Sequence, residues 1–184
     1  MSTKDTYKAL YADIRRKKYF LVFTVLIFLL AVVLGIIAPN HLPLKMTDDF
    51  QRLAQELHNE TLLPLIARLF LKNAFAVFVA VFSGAIFSII LPIIILFLNG
   101  YSIGINLYEA WNTSWRLIPH GVFEYPAIFL ACSYGIWLGL WLFNRDRVKT
   151  VKHRLKQCII IYFYILVPLL LVAATIEGAV IKFL

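Results

Sequence analysis

Only two of the 184 residues are cysteine, only 15% are charged, and acids number ten against eighteen bases. Cys132 and Cys158 each lie inside an apolar run, so neither a disulfide framework nor a zinc cluster is available to the chain. Eight glycines and seven prolines are too few for a collagen-like sequence. Ordinary globular chains carry about 25% charged and about 45–50% apolar residues. Here the apolar share is 61% and the mean hydropathy +0.81, too apolar for a surface facing water. A soluble enzyme and a disordered tail are excluded together. The chain reads as an integral membrane protein.

The net charge of +8 is not spread as a nucleic-acid-binding face requires. Residues 1–18 hold six bases and two acids, and residues 145–156 hold six bases and one acid. Residues 39–72 balance four of each. Both basic blocks abut long apolar runs, which is the positive-inside pattern of cytoplasmic segments. No nucleic-acid partner is expected; the partners expected are the lipid bilayer and, for the basic blocks, its anionic lipids.

A crossing helix needs about 20 mainly apolar residues. The run at 19–38 supplies the first, ends at Pro39-Asn40, and is too long for a cleaved signal, so it reads as a retained anchor. The runs at 125–143 and 158–176 supply two more. Between them, residues 73–115 form a stretch of 43 without one Lys or Arg. As helix it would reach about 65 Å, roughly twice the hydrocarbon thickness. A single crossing there would put the second basic block outside; two crossings, broken near Ser83-Gly84 or Leu91-Pro92, return it to the cytoplasm. The expected fold is therefore an all-α bundle of five transmembrane helices, amino terminus inside and carboxyl terminus outside. Residues 1–18 form a cytoplasmic amphipathic segment and 19–184 a single multi-pass domain of the cell membrane, with an external loop at 39–72 and a cytoplasmic loop at 145–156.

Apolar residues recur at helical spacing in the connections too: Tyr7, Leu10, Tyr11 and Ile14; Phe50, Leu53 and Leu57; Val148, Val151 and Leu155. Each set reads as a short interfacial amphipathic helix or as a helix packed on a protein surface. Asn59-Glu60-Thr61 is a formal glycosylation sequon. Gly100 and Gly104, Gly135 and Gly139, and Ala174 and Gly178 are small-xxx-small pairs. Packing within the bundle is the preferred reading of these pairs, with homo-oligomer contacts as the alternative. Pro92, Pro126 and Pro168 lie within spans, where they kink helices and free carbonyls.

Polar side chains in a bilayer are costly and ask for a reason. The set is Asn73, Asn99, Asn106, Glu109, His120, Glu124 and Glu177. In the five-helix topology the last five fall near the outer boundary, on the third, fourth and fifth crossings, and are expected to converge there. His120 and Glu124 are four apart and share a helical face. Three readings stand: a structural clamp, which leads; a proton-exchanging or transport site; and a metal site completed by Glu177 or Glu109. No nucleophilic triad or phosphate-cradling loop is legible, so no enzyme and no cofactor are expected, a metal ion being the alternative.

Asn99-Gly100 followed by Gly104, then Pro119-His120-Gly121-Val122-Phe123-Glu124 with Pro126-Ala127, resemble the signature of the stage II sporulation protein M family. Ala173-Ala174-Thr175-Ile176-Glu177 resembles that family's terminal helix. Tyr125 and Cys132-Ser133 stand where smaller or different residues are common, and leave the matched polar set intact. The resemblance implies a five-helix membrane protein that, in spore-formers, anchors cell-wall hydrolases without being one. A membrane scaffold recruiting a membrane or extracytoplasmic partner is the function expected. A transporter or channel using the polar cluster, or an intramembrane metal-binding protein, is the alternative. No charged trail leads from the cluster to the cytoplasm, which weighs against transport.

Overall fold

A computed structural model describes residues 3–39, 61–109 and 118–183, with side chains over 5–39, 61–109 and 124–182. The described residues are almost all helical, with no strand among them. In chain order they form α1 (Thr3–Arg16), α2 (Lys18–Ile37), α3 (Leu62–Phe82), α4 (Gly84–Phe87), α5 (Ile90–Glu109), α6 (Ile118–Gly139), α7 (Arg147–Ile161) and α8 (Val167–Phe183). A 3-10 turn, Leu140–Phe143, ends α6, and a π-turn, Tyr162–Leu166, joins α7 to α8. Five stretches are long and apolar enough to cross a membrane: Lys18–Ile37, Leu62–Phe87, Ile90–Glu109, Glu124–Phe143 and Arg147–Lys182.

The breaks have local causes. Lys17 alone separates α1 from α2, at φ −96° and ψ 13°, the sparsely used bridge region. The long apolar stretch is interrupted at Ser83 and again at Ser88, which takes a φ of 57°. The Ser88 hydroxyl donates to the Gly139 carbonyl at 3.2 Å, pinning the turn to α6. The two crossings part at Ser88–Ile89, between the two places expected, and Pro92 follows closely. It lies in the first turn of α5, where a missing N–H costs little. Pro168 supplies no N–H to the carbonyl of Tyr164, and the helix widens into its π-turn over those residues.

Two stretches read as loops contain helix, the second of them as the spacing of Val148, Val151 and Leu155 predicts. The second crossing begins at Leu62, inside the stretch read as external loop, and carries Arg68 and Lys72 exposed on its surface, where long basic side chains are tolerated. The basic segment 145–156 is helical from Arg147 onward, continuous with the last crossing. The Phe50–Leu57 set and the glycosylation sequon at Asn59 and Glu60 lie outside the described residues.

α6 is the axis of the bundle and packs on α2, α3, α4, α5 and α8. Its residues Ala127, Ala131, Cys132, Tyr134 and Leu138 are fully buried. α2 and α5 form the closest pair. A Cβ on Gly104 would come 2.8 Å from the Gly35 Cα, so the two backbones touch there. Gly135 likewise faces Ala80, and Gly139 the Ser88–Ile89 turn. In lipid, where apolar helices gain nothing by leaving the solvent, such close approach supplies the association energy.

Candidate functional site

Polar side chains gather at two levels, near the two ends of the bundle. At the end where α6 begins, Glu124 is only 6% exposed and accepts a hydrogen bond from the Asn73 amide of α3. Desolvating a carboxylate is costly without such a partner, so this bond ties α3 to α6. Glu177 lies half-buried on α8, beside Gly178, which sits against Ile66 of α3. The backbone of His120 is in α6, but its side chain lies outside the described set. Asn99 and Glu109 are exposed on α5. Asn99 donates to the Ile95 carbonyl at 2.7 Å, and Asn106 to that of Ser102 at 2.8 Å, so these amides fold back on their own helix. The structure therefore joins Glu124 to Asn73 and places Asn99 and Glu109 on the outer surface. Among the described residues, no three His, Cys, Asp or Glu gather closely enough to hold a metal ion.

The glycines named in the sequence all face other helices: Gly100 and Gly104 meet α2, Gly135 and Gly139 meet α3 and the turn after α4, and Gly178 meets Ile66.

The other level is denser, and sequence reasoning missed it. Lys17, in the kink between α1 and α2, is 8% exposed. Its ammonium pairs with Asp13 one helical turn back. It donates to the Gln157 side-chain oxygen at 3.3 Å and lies 4.0 Å from the centre of the Trp137 ring and 4.9 Å from that of Tyr134. The Tyr134 hydroxyl donates to the second Asp13 oxygen at 2.6 Å. Arg154 stacks 4.9 Å from the Trp137 ring centre and donates to that residue's carbonyl. Gln157 reaches on to His153, 3.1 Å between side-chain nitrogens. Three helices, α1, α6 and α7, thereby close around the buried cation of the kink. Two signals were present in the sequence. Asp13 and Lys17 are four apart at the edge of an apolar run, and Tyr134 carries into the core a hydroxyl that needs a partner.

These features define a helical membrane protein whose polar groups clasp its helices together. More narrowly, residues 24–180 match the family of Stage II sporulation protein M, well over half of the chain, and the chain belongs to that family. An uncharacterized protein of Methanocaldococcus jannaschii is 26% identical over 196 aligned positions, which span 96% of this chain and 87% of that one. No solved structure matches the chain.

Proposed function

We propose that the chain is a multi-pass anchor of the cell membrane that holds a membrane or extracytoplasmic partner protein in place and is not itself a catalyst. Its basic end, with α1 and the start of α7, faces the cytoplasm, where bases are retained. The segment between α2 and α3 then lies outside and is the surface available to an extracytoplasmic partner. The observation that carries this reading is the filling of the central crossing. Between Glu124 and Tyr134, which mark the two polar levels on α6, the helix buries the apolar side chains of Ala127, Leu130, Ala131 and Cys132, and the Ser133 hydroxyl is bonded back to the Leu130 carbonyl. A transport route joining those levels would have to open this packed stretch, at the cost of its close contacts. Membership of the family supports the same reading, since the resemblance implies an anchoring role. In this role Glu124 and Asn73 are a structural clamp.

Cross-linking in native membranes followed by identification of the captured proteins, run beside ion-flux measurements on proteoliposomes, tests the proposal. A defined partner captured through residues 40–60, with no flux above empty vesicles, is the expected result. Flux abolished by Glu124→Gln would overturn it in favour of a transporter. Stoichiometric metal retained by the purified protein and lost with His120→Ala would overturn it in favour of a metal site.

A further inference from the structure

On the outer side of the Lys17 clasp, α1 and α7 leave a groove between them of about 370 Å³, lined by Thr6, Ala9, Leu10, Asp13, Arg16, Gln157 and Ile160 among its residues. On α1 the lining residues recur every three or four positions, so they form one stripe along the helix. Ala9, Leu10 and Ile160 give it apolar lining, and Thr6, Asp13, Arg16 and Gln157 contribute a hydroxyl, a carboxylate, a guanidinium and an amide. Its volume is at the lower end of small-molecule sites, enough for a polar headgroup and its first carbons.

The depth of the groove is marked by tyrosines. Tyr7, Tyr11, Tyr19 and Tyr164 are all exposed, and Tyr7 packs edge-on against Tyr164 with ring centres 6.3 Å apart. Exposed tyrosines of membrane helices collect at the level of the lipid headgroups. The charge of the groove is set by which of its ionised groups remain available. Asp13 is committed on both oxygens, to Lys17 and to Tyr134. Arg16, in contrast, stands exposed on the wall, with Arg15 beside it and Lys156 next to Gln157 on the facing helix. The acid is neutralised from within while the base points outward. The site is therefore electropositive at the depth of the headgroups.

We infer that the α1–α7 groove seats the headgroup of an anionic phospholipid, its phosphate on Arg16 and its first carbons over Leu10 and Ile160. The inference rests on the basic end facing a leaflet that carries anionic lipid. A bound lipid would bridge α1 to α7 from outside, as Lys17 bridges them from within, and so hold α1 against the bundle.

The experiment uses the purified full-length chain in mild detergent, titrated with phosphatidylglycerol, phosphatidylcholine or inorganic phosphate. Readouts are lipid retention by native mass spectrometry and the thermal unfolding midpoint. One phosphatidylglycerol per chain should be retained, with a raised midpoint, and phosphatidylcholine should bind at least about tenfold more weakly, the difference one charge-assisted phosphate contact makes. Arg16→Gln should lose about tenfold in phosphatidylglycerol affinity, while Arg145→Gln, before the start of α7, should leave it unchanged. Ala9→Phe, which fills the groove without altering charge, should lose retention equally, and an unaltered midpoint without lipid shows that each variant still folds. Equal losses in Arg16→Gln and Arg145→Gln would reduce the effect to diffuse attraction and overturn the site. Equal binding of phosphatidylcholine would overturn the anionic preference, and full stabilisation by inorganic phosphate would overturn the lipid. All of these measurements are made in detergent. Their outcome is thus separable from the orientation and anchoring proposed above, which cysteine labelling and partner capture test by themselves.

Discussion

Lys17 is where a single side chain decides most. A buried ammonium with its carboxylate removed, or the reverse, leaves an uncompensated charge, and breaking such a pair costs about 3–5 kcal/mol when burial is complete. Asp13 is partly accessible, so the lower part of that range applies. Lys17→Met should lower stability by about 3 kcal/mol, read as a drop in the unfolding midpoint in detergent. Tyr134→Phe removes one hydrogen bond to the same carboxylate and should cost about 1.5 kcal/mol. The two losses should not add, since both groups act through Asp13; a fully additive double variant would show that they are independent. At the other polar level the same logic separates two substitutions. Glu124→Gln keeps an oxygen that accepts from Asn73, whereas Glu124→Ala leaves the amide without its acceptor. Alanine is expected to reduce yield and midpoint clearly, and glutamine only slightly. Matching effects from the two would remove the clamp from the account of this residue.

Between elements, the same residue type has different weight at different crossings. At Gly104 an added side chain meets backbone, the Gly35 Cα at 2.8 Å, and backbone of a packed helix cannot yield without parting α2 from α5. At Gly178 it meets the Ile66 Cγ1 at 2.7 Å, the flexible part of a side chain that can turn aside. Gly104→Ala should therefore destabilise by about 1–3 kcal/mol, the usual cost of overpacking, and Gly178→Ala by less. Thermal unfolding of the two variants side by side decides this; an order reversed from the one given would mean that α2 and α5 are free to separate. The small-xxx-small spacing was visible in the sequence for both. Which neighbour each glycine meets was not, because spacing along one helix says nothing of what stands opposite. The helix breaks divide in the same way. Charge bias required a second crossing in this stretch, and the two crossings part at Ser88–Ile89, between the two places expected, where the turn is held by a bond to α6 that is distant in sequence.

For the whole molecule, the expected insertion can be checked without a structure. With Cys132 and Cys158 replaced, single cysteines placed at 40–60 should react with an impermeant reagent in intact cells, and those at 145–156 only after the membrane is opened. Labelling of 145–156 from outside would reverse the topology. The native cysteines are both buried, so the wild-type chain should stay unlabelled until denatured. This expectation comes from the sequence alone, because a bilayer acts as a one-dimensional filter. Run length sets the number of crossings, and the Lys and Arg bias sets their direction; neither needs a long-range contact. Family membership was likewise readable from Asn99-Gly100 and the segment 119–127. The polar partners required the tertiary structure. Glu124 was read with His120 on its own helix; the bond from Asn73 across on α3 is one that the sequence did not offer. Lys17 was counted only as one of six bases in the first basic block, and it is buried. In both cases composition assigns a residue to a level of the membrane, while the side facing a neighbour is chosen by helix rotation and crossing, which depend on backbone contacts such as Gly35 with Gly104 far apart in the chain.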